Sequence, residues 1–238
     1  MIPIVSILSA VSALLSFFIC FRLWRRFQTL GNLVMYHFAA CYFFFGLFFI
    51  FFAAPGILHT DLTIIAVDAA IAYLALFVTI AYFIQIPVEI SWPFVWARLL
   101  FWITLITGVI LFAANIFYLE LPLKISQGYF IYYLVRANPL IQLLNVFIPL
   151  VFDFIGIIFL ISQGYYSTKQ ENDNQLGQAK SSTVAYRSYQ IAAGWAIIMV
   201  AGILNIYGSS PTPHPGAIFL ATLAAVVGLL VVFRGISK

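Results

Sequence analysis

Charge is scarce in this chain. Asp, Glu, Lys and Arg make up 8% of its 238 residues, 64% are hydrophobic and the mean hydropathy is +1.09. A water-soluble domain carries about 25% charged residues, so a soluble globule is excluded and an integral membrane protein in contact with a lipid bilayer is implied. The formal net charge of +4 sits in short segments between apolar runs. That distribution gives no basic patch for nucleic acid and reads instead as an orientation signal. Cysteine is almost as rare. Cys20 and Cys41 lie inside hydrophobic segments with no CxxC partner and no His at ligand spacing, so both are expected as small core residues. Also missing are an internal repeat of the kind that builds carriers and any nucleophile–base pair, metal cluster or phosphate loop. An enzyme is therefore the least supported class.

Long hydrophobic runs occur near 2–21, 32–54, 62–86, 97–118, 139–163, 189–207 and 215–233. Each is long enough to cross about 30 Å of hydrocarbon as a helix. The expected fold is all-α, a single seven-transmembrane helix bundle over residues 1–238. In "MIPIVSILSAVSALLSFFICFRLWRR" the basic residues follow the apolar stretch, the reverse of a secretory signal, so an uncleaved first span that starts outside is expected. With that start, Arg22, Arg25, Arg26, Arg98, Lys169, Lys180, Arg187, Arg234 and Lys238 fall on the cytoplasmic side, against Lys124 and Arg136 outside. Basic residues are retained on the cytoplasmic side of short loops, so the C-terminus is expected there too. The polar segment 167–187 has almost nothing to bury and is expected as a flexible cytoplasmic loop. The segment 118–138, with Tyr118, Tyr129, Phe130, Tyr132 and Tyr133, is expected to be partly helical along the outer surface. Trp24, Trp92, Trp96, Trp102 and Trp195 are expected mostly as anchors at the cytoplasmic interface.

An ionisable group inside a bilayer costs about 2.5–3.5 kcal/mol on insertion scales, so each one is expected to face protein or water. Asp68, Asp153 and His37 meet that description. On the fifth span Gln142, Asn145, Pro149 and Asp153 follow steps of three, four and four, which keeps them on one face. Pro149 has no N–H and leaves the Asn145 carbonyl without its helical donor. On the third span Asp68, Ala72, Ala75, Thr79 and Tyr82 share a face. Helix rise puts Asp68 about 9 Å and Asp153 about 21 Å below the outer surface, too far apart to touch. Tyr42, Thr79 and Thr107 match the depth of Asp153. With no deep Lys or Arg to pair with, Asp153 is expected to be held neutral and to donate a hydrogen bond, either between helices or to a ligand. Gln142, Asn145, Asp153, Asp68, Thr79 and Tyr42 are the candidate ligand- or proton-binding residues. Ala193, Gly194, Ala201 and Gly202 of span six and Ala217, Ala221, Ala225 and Gly228 of span seven are expected to pack helices closely.

No cofactor is expected. Retinal needs a lysine in the middle of the last helix, and the nearest is Lys238 at its end. Haem is disfavoured because His37 has no second His at its depth. His59, Asp61 and His214 are weak metal candidates that need two external turns to meet. Receptor signatures are missing too: "AYFIQIPVEI" ends span three where Asp-Arg-Tyr would stand, and span seven has no Asn-Pro-x-x-Tyr. The stretch "FRLWRRFQTLGNLVMYHFAACYFFFGLFF" is similar in layout to the seven-span sensor regions that precede bacterial histidine kinases and cyclase domains. That resemblance spans about the first hundred residues and carries no diagnostic residue. It implies signalling through a separate partner. Two functions are expected from these residues. The first is a non-enzymatic binding or sensing bundle, or a subunit of a larger membrane complex, with a lipophilic ligand between spans three and five. The second is a proton- or cation-coupled carrier or channel using Asp153 or Asp68. A plasma or inner membrane location suits either.

Overall fold

The computed structural model describes residues 2–91, 94–173, 178–208 and 214–237, apart from the side chains of 87–97, 169–184 and 237. Trp92 and Lys238, and the side chains of Trp96, Lys169 and Lys180, lie outside the described residues. The helices are α1 (Ile4–Leu30), α2 (Leu33–Ala53), α3 (Leu62–Ser91), α4 (Phe94–Phe117), α5 (Pro139–Asp173), α6 (Gln178–Gly208) and α7 (Pro215–Ser237). All seven are long and apolar enough to cross a membrane, so the chain is a multi-pass membrane protein.

Consecutive helices pack against each other, and α1 also packs on α7, which closes the ring. Where the connection is a few residues, as between α1 and α2, the neighbours run antiparallel. Helix α3 additionally reaches α5. It is the most buried span, 61% against 22% for α4, so α3 passes through the interior and α4 lies at the rim.

The helix ends follow from local chemistry. Gly31 closes α1 in the left-handed conformation, φ 63°, its N–H donating to the Phe27 carbonyl. Asn32 then caps α2 by accepting from the Val34 N–H at 2.9 Å. Asp61 caps α3 through the N–H groups of Thr63 and Ile64, and Asn138 caps α5 through that of Leu140. Helix α1 continues well past the apolar run that ends near 21, because Arg22 lays its guanidinium over the rings of Phe18 and Phe233 and keeps its stem on the apolar surface. Similarly, the polar segment 167–187 is helical over 167–173 and 178–187. A helix already nucleated in the membrane adds residues of this kind at little cost.

The segment after α4 corrects the expectation of a partly helical surface stretch. It is an antiparallel hairpin, β1 (Leu123–Gln127) and β2 (Phe130–Leu134), in register from Leu123 opposite Leu134 to Gln127 opposite Phe130. The two-residue turn has Gly128 at φ 58° in its first position, as a type II′ turn requires. Residues 129–134, "YFIYYL", are aromatic and β-branched, which favours strand over helix. Ile2 joins the hairpin: its N–H donates to the Tyr129 carbonyl at 2.8 Å, and the Ile131 N–H donates to the Ile2 carbonyl at 3.1 Å. The turn between α2 and α3 is tied to the same face, since the Ser6 hydroxyl donates to the Pro55 carbonyl. Hairpin, N-terminus and α2–α3 turn thus form one cover, here called the hairpin face. Arg22, Arg25 and Arg26 lie at the other end of α1, the basic face.

Trp195 is a second correction. It is not an interface anchor but a fully buried side chain, 1% exposed. Its indole N–H donates to the Tyr42 hydroxyl at 3.1 Å, and its ring stacks on Phe83 with centroids 4.1 Å apart. Indoles sit at interfaces when their N–H finds water or headgroups, and here Tyr42 supplies the acceptor inside the bundle. Trp102 and Trp24 stay on the exposed surface of their helices. Helices α6 and α7 approach backbone to backbone at Gly194 and Gly228: a Cβ on Gly194 would lie 2.7 Å from the Gly228 carbonyl oxygen. Ala193, by contrast, is exposed.

Candidate functional site

Beneath the hairpin lies a cavity of about 160 Å³. Every helix except α4 contributes to its wall, and Tyr133, Leu134 and Val135 of the hairpin segment cover it. Most of the wall is apolar: Phe45, Phe48, Phe49 and Phe52 from α2, Leu76 from α3, and Ile198 and Met199 from α6. Its polar groups are Ser9, Tyr73, Tyr133, Asn145, Asp153, Asn205 and Thr222. No Lys, Arg or His is among the described residues that line it.

Helix α5 brings three of the four residues of its expected polar seam to this cavity. Asn145, Pro149 and Asp153 line it, while Gln142 is half-buried and does not. Asn145 is completely buried and meets Asn115 of α4 in a reciprocal amide pair. Asn145 Nδ2 donates to Asn115 Oδ1 at 3.1 Å, and Asn115 Nδ2 donates back at 3.4 Å. Asp153 is 7% exposed, and among the described residues no hydrogen-bond partner reaches its Oδ1. The interhelical bond expected for this carboxyl oxygen is thus not made by the side chains at its depth. Tyr42 accepts from Trp195, Thr79 donates to the Ala75 carbonyl, and Thr107 donates to the Ile103 carbonyl.

Asp68 belongs to a different place. Its Oδ2 lies 2.7 Å from His59 Nε2 near the hairpin face, joining the start of α3 to the preceding turn. Asp61 is occupied as the α3 cap. His214 stacks flat on Tyr207, centroids 4.7 Å apart. Among the described residues no group of three or more His, Cys, Asp or Glu side chains is placed to hold a metal ion. His37 is buried against Tyr36 and Tyr82.

Several of these groups are not among the expected site residues. Asn115 was legible in principle, because it stands near the end of span four and Asn145 near the start of span five, at matching depth on antiparallel neighbours. Ser6, Ser9, Ser12 and Ser16 form a fully buried stripe on α1 at steps of three, three and four, a helical period visible in "VSILSAVSALLSF". Asn205 and Thr222 carried no local signal, since each is a single polar residue in an apolar run with no polar neighbour at helical spacing within it.

The sequence matches none of the protein-family models, and no curated protein matches it at a significant level.

Proposed function

We propose that this seven-helix bundle is a non-enzymatic binding or sensing protein that holds a small amphiphilic molecule in the cavity under the hairpin. The observation that carries this reading is a buried carboxyl, Asp153, with its Oδ1 unpartnered among the described residues and set in the wall of a largely apolar cavity. Ligand sites are mostly apolar hollows with a few convergent polar groups, and this one has that composition. A buried polar atom left without a partner costs about 1–3 kcal/mol, which a ligand donor offsets. Sensing suits the geometry because six helices and the hairpin share the wall, so a bound molecule bears on most of the bundle. A partner protein in the same membrane would receive the signal.

The layer of Trp195, Phe83 and Tyr42 lies about one turn toward the basic face from the cavity residue Ile198 and is fully buried. That packing favours a site open to one side over a conduit. In this reading the hairpin face is outside and the basic face in the cytoplasm of a plasma or inner membrane, which the basic residues Arg22, Arg25, Arg26 and Arg234 at one end support.

The test is to purify the chain in mild detergent and identify co-purifying small molecules by mass spectrometry, beside the variant Gly202→Leu. Gly202 lines the cavity, and a Cβ there meets only Leu150 at 3.5 Å, so the larger side chain fills the cavity without breaking the helix. The expected result is a molecule present with the native chain and lost from the variant. Proton-coupled uptake abolished by Asp153→Asn would replace this reading with the carrier.

A further inference from the structure

Resting on the cavity reading above, we infer that the bound molecule is an organic ammonium, an arylalkyl amine or a close analogue, with its cationic head on Asp153 and its apolar part among the phenylalanines of α2. Beside the hydroxyls of Ser9, Tyr73 and Tyr133, which can donate or accept, the wall holds several groups that offer acceptors. Thr222 spends its hydroxyl proton on the Ile218 carbonyl at 2.7 Å, which leaves only oxygen lone pairs for anything in the cavity. Asn145 uses an amide N–H on Asn115, and its main-chain carbonyl lacks a helical donor because residue 149 is proline. Ionised against a bound ammonium, the carboxylate of Asp153 accepts only. Asn205 can turn its amide oxygen inward. A ligand that donates through several N–H groups matches these acceptors around Asp153.

Charge points the same way. Asp153 is the one acidic side chain among the described residues lining the cavity, and no basic side chain there balances it. An ammonium supplies the missing counter-charge in a medium where an unpaired carboxylate is poorly tolerated. Phe48, Phe49 and Phe52 also line the cavity, and aromatic rings attract a cation through their quadrupole. An anionic ligand meets repulsion at the same oxygen. A bare metal cation prefers about six oxygen ligands, whereas much of the wall is apolar, with Leu76, Ile198 and Met199 among its residues. The cavity volume also matches a single aromatic ring, as apolar cavities of about 150 Å³ accept benzene.

The experiment uses the full chain in lipid nanodiscs and three near-isosteric probes, phenethylamine, 2-phenylethanol and phenylacetate, with affinity read by titration calorimetry and checked by thermal shift. Phenethylamine is expected to bind about tenfold or more tighter than the alcohol, the scale of one charge-assisted hydrogen bond, with phenylacetate weakest. Asp153→Asn is expected to bring the amine down to the level of the alcohol and leave the alcohol unchanged. Thr222→Val, which keeps side-chain shape, lowers amine affinity about threefold and serves if the Asp153 variant does not fold. Equal binding of amine and alcohol to the native chain, or an amine preference that survives Asp153→Asn, overturns the ammonium inference and leaves the cavity reading standing. Binding of none of the three probes overturns both.

Discussion

Asn115 and Asn145 face each other across α4 and α5 and exchange two amide hydrogen bonds, 3.1 and 3.4 Å long, with Asn145 fully buried. Because α4 otherwise packs mainly on α3, this pair is a principal polar tie from the rim helix to α5. Replacing either residue by leucine strands the other amide in an apolar setting and is expected to cost about 1–2 kcal/mol. A double-mutant cycle on unfolding in mixed micelles should return a coupling energy of about 0.6–1.7 kcal/mol. Additive losses would show that the two amides act separately.

Phe83 stacks on Trp195 only because residue 156 of α5 has no side chain, as a Cβ there would overlap the Phe83 ring. On helix propensity alone Gly156→Ala stabilises by about 1 kcal/mol. Overpacking opposes it by about 1–3 kcal/mol, so net destabilisation is expected, accompanied by a change in the fluorescence of Trp195. A higher melting temperature with an unchanged spectrum would count against this tight packing.

Gly56 holds the α2–α3 turn at φ 76°, with the site of a Cβ 2.8 Å from Pro3 and 3.1 Å from Tyr133. Gly56→Ala meets both a left-handed backbone, costing about 1–2 kcal/mol, and a clash with two parts of the cover. The variant should retain its helices while the amides of Ile2 and Ile131 exchange with solvent faster, as measured by hydrogen–deuterium exchange. Unchanged exchange at both positions would mean that the turn does not hold the hairpin down.

Orientation can be read with single cysteines. Ser126 is exposed on the hairpin, and Thr29 is exposed at the far end of α1. A membrane-impermeant maleimide applied to intact cells should label Ser126→Cys and reach Thr29→Cys only after lysis, above the background of Cys20 and the buried Cys41. The opposite pattern would invert the topology.

The spans were legible because each is a long local run of apolar residues, and Asp153 was recognisable as an interior residue because lipid does not tolerate a bare carboxyl. The face shared by Asn145, Pro149 and Asp153 followed from helical period alone. The hairpin was misread for a physical reason: aromatic rings mark a membrane interface whether the backbone is helix or strand, and the Gly128 turn was the local signal that distinguished them. Trp195 was misread because composition cannot say whether an indole finds its acceptor in headgroups or in Tyr42.

Length, hydropathy and spacing therefore determine that this chain has seven helices able to cross the membrane and that Asn145, Pro149 and Asp153 share one side of α5, since both depend on residues within a few turns of one another. Which inward faces meet is a matter of helix order and depth. That Asn145 pairs with Asn115, that Asp68 pairs with His59, and that Asp153 opens onto a cavity all arise from contacts between distant segments, which a linear pattern does not encode. The hollow under the hairpin exists because six helices and the end of β2, each placed by its own packing, leave it between them.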